Sequence, residues 1–280
     1  MFSVIIPVHD QLAYLAYCLD SVASLTAKPY RIVVVDDGSG KETRAFCELQ
    51  RRRGIIHNLV RNDKPQGFSL ACNEGMRVSA LDGSEYYCLL NSDAEVGTKD
   101  WNDKIIAASQ ERDAALVGVI SNSAGVQSVP LEHARMESAR AYDNILERVT
   151  KRARPYTKFV HGFCYIIRSD LYEAMGGFNA EKYPHYGSED DYTWQAIHSG
   201  FKAIICDDVF VAHACNKSYG DAREKIVEKT IPMFIEQWGR EAVQAAIDEQ
   251  VRALAPLKSD FAAEILRLQY AAKGYHERRI

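Results

Sequence analysis

Through the first 120 residues, runs of consecutive apolar side chains alternate with longer stretches whose apolar residues recur every three or four positions. The short runs are FSVIIPV (2–8), RIVVVDD (31–37), IIHNLVR (55–61), YYCLLN (86–91) and ALVGVI (115–120). They are rich in β-branched residues and lack polar alternation, so they read as strands buried on both faces. Between the first two, Leu12, Leu15, Leu19, Val22 and Leu25 mark a helix over 11–25. The same spacing predicts helices over 41–53, 68–80 and 99–111. Strand–helix alternation of this kind predicts an α/β fold: a mostly parallel central sheet flanked by helices.

Beyond Ile120 the pattern loosens. SNSAGVQSVP (121–130) reads as a loop, 131–151 as a charged helix and KFVHGFCYIIR (158–168) as a strand. Residues 175–188 form a long polar stretch with glycines and aromatics, and loops of that length inside a domain are commonly functional. A helix over 189–199 and strands over 201–206 and 208–214 follow. Residues 221–280 read as a helical C-terminal extension with Lys, Glu and Arg on its polar faces. It carries no catalytic-looking cluster, so nucleotide binding is assigned to residues 1–220 and the extension is expected to be dispensable for it, with dimerisation, docking on a membrane surface or contact with the acceptor left open.

A composition of 47% hydrophobic and 26% charged residues over 280 positions suits a globular chain with a substantial core. The net charge of -4 argues against a nucleic-acid partner. The cationic QRRRG at 50–54 reads as a solvated helix end that suits the helix dipole. Seven cysteines are scattered without a C-x-x-C pair, as expected for free thiols in a reducing, cytoplasmic compartment. MFSVIIPVHD has neither the basic start nor the long apolar stretch of a signal peptide. No apolar run reaches the ~18 residues of a membrane span. Peripheral attachment at the inner face of a membrane and a homodimer stay open.

Two strands end in acid, at VVVDDGSG and YCLLNSDAEV. In open parallel sheets ligands bind beyond the carboxyl ends of the strands, which places Asp36, Asp37 and Asp93 on one rim. Asp93 and Glu95 offer hard oxygen ligands of the kind that hold Mg²⁺ or Mn²⁺, with substrate phosphates and water completing the shell. The same residues also read as plain turns, with Ser39 or Asp37 as an N-cap. A third acidic group, GSEDDYTW (187–194), combines an apparent capping box, Ser188 with Asp191, with three consecutive acids. His213 follows an apolar strand; it reads as a hydrogen-bonded structural residue or, beside a metal site, as a ligand.

Taken in order, these stretches resemble a family 2 glycosyltransferase with the GT-A fold, in its rhamnosyltransferase-like branch. The resemblance rests on SVIIPVHDQLAYLAYCLDSV, IVVVDDGSGKET, VRNDKPQGFSLACNEGMRVS, YCLLNSDAEV, GFCYIIRSDLYEAMGGFN, YGSEDDYTWQAIHSGFKAI and VFVAHACNKS, and covers residues 2–218. It implies an inverting transfer of a sugar from a UDP- or dTDP-linked donor to a hydroxyl on a glycan or lipid-linked sugar. By the resemblance, Pro7, Val8 and His9 line the nucleotide pocket, Asp37 contacts the base and Asp36 assists. Asn73 faces the sugar or diphosphate, Asp93 binds Mn²⁺ or Mg²⁺ and His213 completes its coordination. Asp190 matches the general base, with Glu189 and Asp191 as alternatives. The sequence departs from the family at Asn91, which stands where a first metal-binding Asp is usual, and at Asp10 and Asn179.

Other functions fit less well. A nucleotidyltransferase wants a Gly-rich phosphate loop after the first strand, and IIPVHDQLAY has no glycine there. No G-x-G-x-x-G follows any strand, which removes a dinucleotide-dependent dehydrogenase. A non-catalytic nucleotide- or carbohydrate-binding module on the same fold remains the alternative, favoured by Asn91.

Overall fold

A computed structural model describes residues 1–130, 139–214 and 222–277. The start of the helix expected over 131–151, Cys215, Lys217, Ser218 and the boundary at 220/221 lie outside the described residues. The first half alternates as the pattern requires: β1 (Phe2–Val8), α1 (Leu12–Leu25), β2 (Tyr30–Asp37), α2 (Lys41–Arg52), β3 (Asn58–Asn62), α3 (Phe68–Leu81) and β4 (Tyr86–Leu90). There follow β5 (Ala94–Val96), α4 (Trp101–Arg112), β6 (Leu116–Ile120), α5 (Ala139–Val149), β7 (Cys164–Arg168), α6 (Ser169–Met175), α7 (Ser188–His198) and β8 (Ala203–His213). Two C-terminal helices, α8 (Ala222–Trp238) and α9 (Arg240–Glu277), close the chain.

The eight strands form one curled sheet in the order β3-β2-β1-β4-β7-β6-β8-β5. Strands β1 to β4 pair in parallel, as do β6 and β8, whereas β7 and β5 run antiparallel to their neighbours. Successive side chains of a strand point to opposite faces, and here both faces are dry. Val4, Ile6, Ile32 and Val34 join one core cluster with Leu15, Val22, Trp101 and Ile105. Ile5, Val33 and Val35 join another with Ala71, Cys72, Met76 and Tyr192. The six described cysteines are buried free thiols.

The departures from the sequence pattern have local causes. The run at 55–61 becomes a strand only at Asn58, because the Ile55 and Ile56 amides donate to the Gln50 carbonyl and wrap the end of α2. β7 starts at Cys164 rather than 158, since its partner β4 ends at Leu90 and the Asn91 amide then turns to the Phe163 carbonyl. The two strands expected over 201–214 are one, with a bulge at Asp207–Asp208 absorbing the register shift from Val119↔Cys206 to Ile120↔Phe210. Asp207 stays in the sheet because its carboxylate accepts the Ala153 and Arg154 amides.

The C-terminal helices share the core of the sheet. Leu254, Leu257, Phe261 and Ile265 of α9 pack with Tyr142, Ile145 and Leu146 of α5 and Phe210 of β8. Phe234 and Val243 pack with Trp194 of α7. Phe261 is fully buried, so Phe261→Ala is expected to lower stability by about 3–5 kcal/mol in urea or thermal unfolding. An unchanged midpoint would mean that α9 is not docked in solution. Among the described residues no helix is long and apolar enough to cross a membrane.

Candidate active site

β1 and β2 end side by side, with Val8 paired to Asp36, so the residues after them meet above the sheet. Asp10 and Gln11 both take left-handed backbone angles, a conformation that Asp tolerates better than most residues. This starts α1 at Leu12 and aims Asp10 at the β2 turn. The Gly40 amide donates to Asp10 Oδ1 at 2.8 Å, and the Asp10 amide donates to Ser39 Oγ at 2.9 Å. Neither Ser39 nor Asp37 caps α2, whose N-cap is Gly40. Gly38 has φ +75°, and a Cβ there would lie 2.7 Å from the Pro65 nitrogen. The turn therefore closes on the loop before α3 only with glycine at 38.

That closure brings Asp37 to Gln66 and Gly67. Asp37 Oδ1 accepts from Asn62 Nδ2 at 2.8 Å and from the Gln66 amide at 2.8 Å, and Oδ2 accepts from the Gly67 amide at 2.9 Å. His9 Nδ1 donates to the Asp37 carbonyl at 2.8 Å. Pro7, Val8, His9 and Asp37 line one cavity of about 500 Å³. Asp36 does not line it. Its carboxylate is spent on the Ser39 amide and the Arg61 guanidinium, which also holds the Ser39 carbonyl. The assisting role expected of Asp36 is thus one of bracing the turn.

Asn73 is also elsewhere than the resemblance implies. Its Oδ1 accepts the Phe178 amide at 2.7 Å and its Nδ2 donates to the Phe178 carbonyl at 2.9 Å. Both halves of the amide are used to tie α3 to the 176–187 loop, and Asn73 is absent from the cavity wall.

The three-residue β5 joins Asp93 to His213 across 120 positions of sequence. Ala94 pairs with His213 in the antiparallel ladder, and the Ala214 amide donates to the Asp93 carbonyl. Asp93 Oδ1 lies 3.4 Å from His213 Nε2, and Asn91 Nδ2 lies 3.3 Å from the same nitrogen. His213 Nδ1 donates to the Ser123 carbonyl at 2.8 Å, while Asn122 clamps its backbone on both sides. In the neutral ring this fixes the tautomer that turns the Nε2 lone pair toward Asp93, the arrangement seen in metal-ligating histidines. Phe163 stacks on the ring at 5.0 Å. Among the described residues no group of three or more His, Cys, Asp or Glu side chains is placed to hold a metal ion by itself. One carboxylate and one imidazole fit an ion that takes its other ligands from phosphates and water.

Of the three acids at the start of α7, Glu189 and Asp190 line the cavity and Asp191 does not. Asp191 accepts from Gln195 Nε2, Gln237 Nε2 at 2.8 Å and Trp238 Nε1 at 3.2 Å, which ties α7 to α8. Its carboxylate is therefore not open to substrate. The capping box expected of Ser188 and Asp191 is absent: the N-cap is Gly187, and Ser188 Oγ donates to Glu189 Oε2 instead. Glu189 presses on Gly162, where a Cβ would sit 2.8 Å from Oε1. Burial pushes the Glu189 carboxyl up, and burial followed by the charges of Glu189 and Asp191 pushes Asp190 well above the usual carboxylate range.

Sequence reasoning missed the rest of the wall. His161 and His185 stand in the cavity, and burial, opposed by nearby Asp37, holds the His185 pKa down. Val227, Thr230, Ile231, Phe234 and Ile235 of α8, with Arg240, Val243 and Ile247 of α9, close one side. Part of the C-terminal extension thus lines the cavity beside the strand ends. Only the apolar stripe along α8 hinted at it.

The sheet order and the site at the strand ends define the GT-A fold. It is shared with mannosyltransferase PcManGT from Pyrobaculum calidifontis, solved in complex with GDP-Man and Mn²⁺. That similarity has a TM-score of 0.60 at 18% identity, over 100% of this chain and 80% of that one. It is also shared with S. aureus TarS 1-349 in complex with UDP-GlcNAc, at TM-score 0.54 and 16% identity over 84% and 66% of the two chains. Residues 3–176 match glycosyl transferase family 2, and the chain belongs to that family. Curated relatives include glycosyltransferase GlyG of Streptococcus pneumoniae serotype 4, 24% identical over 42% of this chain and 38% of its own length. A PGL/p-HBAD biosynthesis glycosyltransferase of Mycobacterium bovis is 40% identical over 27% of this chain and 30% of its own length. These two matches span well under half of either relative. Glycosyltransferase AglE of Haloferax volcanii is 24% identical over 80% of this chain and 69% of its own length.

Proposed function

We propose that the protein is an inverting glycosyltransferase that moves a sugar from a nucleoside-diphospho-sugar to an acceptor hydroxyl. The observation that carries this reading is the meeting, in one cavity, of Asp37, the Asp93–His213 pair, Glu189 and Asp190. Residues 1–214 supply the donor half, and α8 and α9 complete the site. The alternative of a binding module shares the donor half but makes no use of Glu189 and Asp190.

The donor's base is held at Asp37. Oδ2 has one donor from the protein and Oδ1 has two, so Oδ2 retains a free acceptor site. Uracil, thymine and guanine present a ring N–H beside a carbonyl, whereas adenine and cytosine present an acceptor nitrogen at that edge. This supports UDP-, dTDP- or GDP-linked donors over ADP- or CDP-linked ones. Asp93 and His213 would hold Mn²⁺ or Mg²⁺, which stabilises charge on the departing diphosphate when bound. Asp190 takes the acceptor proton as the oxygen bonds to the anomeric carbon, the carbon–phosphate oxygen bond breaks, and the nucleoside diphosphate leaves. A single displacement of this kind inverts the anomeric centre.

The test is a panel of UDP-, dTDP-, GDP-, ADP- and CDP-sugars with Mn²⁺, read as release of nucleoside diphosphate. Release above background from at least one of the first three classes is expected. Folded protein that binds nucleotides but releases none would favour the binding module.

A further inference from the structure

The cavity wall carries the carboxylates of Asp37, Asp93, Glu189 and Asp190 and, among the described residues, a single Lys or Arg, Arg240. Arg240 opens α9, and its side chain is exposed. The fold gives no reason for a cation there. A helix N-terminus favours negative charge. Other helical arginines pair with an acid three or four positions away: Arg44 with Glu48, Arg77 with Glu74, Arg140 with Asp143 and Arg267 with Glu264. Val243 and Gln244 follow Arg240 at that spacing, and Glu236 precedes it on α8, across the break at Gly239. The Arg240 guanidinium makes no ion pair or hydrogen bond with a described residue. Gln244, one turn on, borders the same cavity. Its Nε2 donates to Asp248 at 2.9 Å, which leaves Oε1 to accept.

The turn between α8 and α9 is fixed beside the α7 acids, because Gln237 Nε2 and Trp238 Nε1 both donate to Asp191 Oδ1. Arg240 follows Trp238 by two residues and so stands on the α7 side of the cavity. Resting on the proposed transferase reading, Asp93, His213 and the divalent ion account for the donor's phosphates, and Asp190 receives the acceptor. Arg240 is then an unmatched cation on the acceptor's side. A guanidinium presents parallel N–H groups that fit a carboxylate or a phosphate. A phosphate monoester carries close to two charges at neutral pH, and a single guanidinium would leave the second facing the cavity's own carboxylates. A carboxylate is matched. We infer that the acceptor is an acidic sugar: its carboxylate meets Arg240, Gln244 Oε1 takes a hydroxyl, and a second hydroxyl reaches Asp190.

The test compares methyl glucuronide and methyl galacturonide with their uncharged parents, methyl glucoside and methyl galactoside, and with glucose 6-phosphate. Binding is read by calorimetry on the full chain, with and without UDP and Mn²⁺. At least one uronide should bind about tenfold or more tightly than its parent, the scale of one hydrogen bond to a charged group. Arg240→Gln should remove the difference. Arg240→Lys should keep part of it, since the charge stays and the fork is lost. Both variants should melt near wild type, because the side chain is exposed. Arg252→Gln, on an exposed part of α9 outside the cavity, should preserve the preference. Uronides that bind like their parents, or a preference that survives Arg240→Gln, overturn the inference. So does glucose 6-phosphate binding more tightly than either uronide. UDP with Mn²⁺ should bind Arg240→Gln as it binds wild type; a loss of affinity would assign Arg240 to the donor's diphosphate and overturn its acceptor role. Nucleotide binding without a uronide preference removes the acidic acceptor alone. A uronide preference without binding of UDP, dTDP or GDP removes the donor reading and, with it, the assignment of the uronide as an acceptor.

Discussion

Asp190→Asn is expected to lower the transfer rate by about a hundredfold to ten-thousandfold, the usual size of a general-base contribution, with nucleotide binding nearly unchanged. The substitution keeps the shape of the side chain and removes its basicity. Burial and the charges of Glu189 and Asp191 hold the Asp190 carboxyl well above the usual range. In the wild type the acid limb of kcat/KM should therefore fall above ordinary carboxylate values, with activity lost as pH drops through the raised pKa. The variant should lack that limb. Stability should move the other way. A carboxyl that binds its proton more tightly folded than unfolded costs stability as pH rises from the unfolded pKa, near 3.9, to the raised folded value. The Asn variant should consequently melt higher than wild type at neutral pH and match it in strong acid. Full activity in Asp190→Asn would transfer the role to Glu189, which Glu189→Gln then tests. Loss of nucleotide binding would move Asp190 into the donor site.

Asp93→Ala should abolish the metal-dependent part of nucleotide binding and reduce turnover to background. Among the described residues, the carboxylate and His213, 3.4 Å away, are the titratable pair assigned to the proposed ion. The fold should survive, because the β5–β8 ladder and the bond from the Ala214 amide to the Asp93 carbonyl use the backbone. His213→Ala should weaken binding less. Nucleotide titrations with and without Mn²⁺, beside a thermal melt, check both variants. An Asp93→Ala protein that keeps full Mn²⁺-dependent activity would return NSDAEV to a plain polar turn.

The sheet was legible because β1, β2 and β4 are apolar on both faces, and a strand with no polar alternation has one physical reading. β5 was not, since AEV is too short to carry a period and exists only because β8 lies beside it. The acids at the strand ends were visible as residue types, but which of them face the cavity depends on partners distant in sequence. Asp36 is claimed by Arg61, Asn73 by Phe178, and Asp191 by Gln237 and Trp238, the last two on a helix that begins 31 positions later at Ala222. No local pattern marks such claims. The role of α8 was hidden for a similar reason: a stripe of Val227, Ile231 and Ile235 looks the same whether it meets a core or a ligand.

The central claim is that the strand ends hold a nucleoside diphosphate together with a divalent ion. Calorimetric titration of UDP, dTDP and GDP into the protein, first in EDTA and then in Mn²⁺, tests it most directly. At least one nucleotide should bind in Mn²⁺ and bind at least about tenfold more weakly in EDTA. At about a hundred times its dissociation constant it should stabilise the fold by roughly 2.7 kcal/mol. Absence of binding by all three in Mn²⁺, to a protein shown to be folded, would contradict the account.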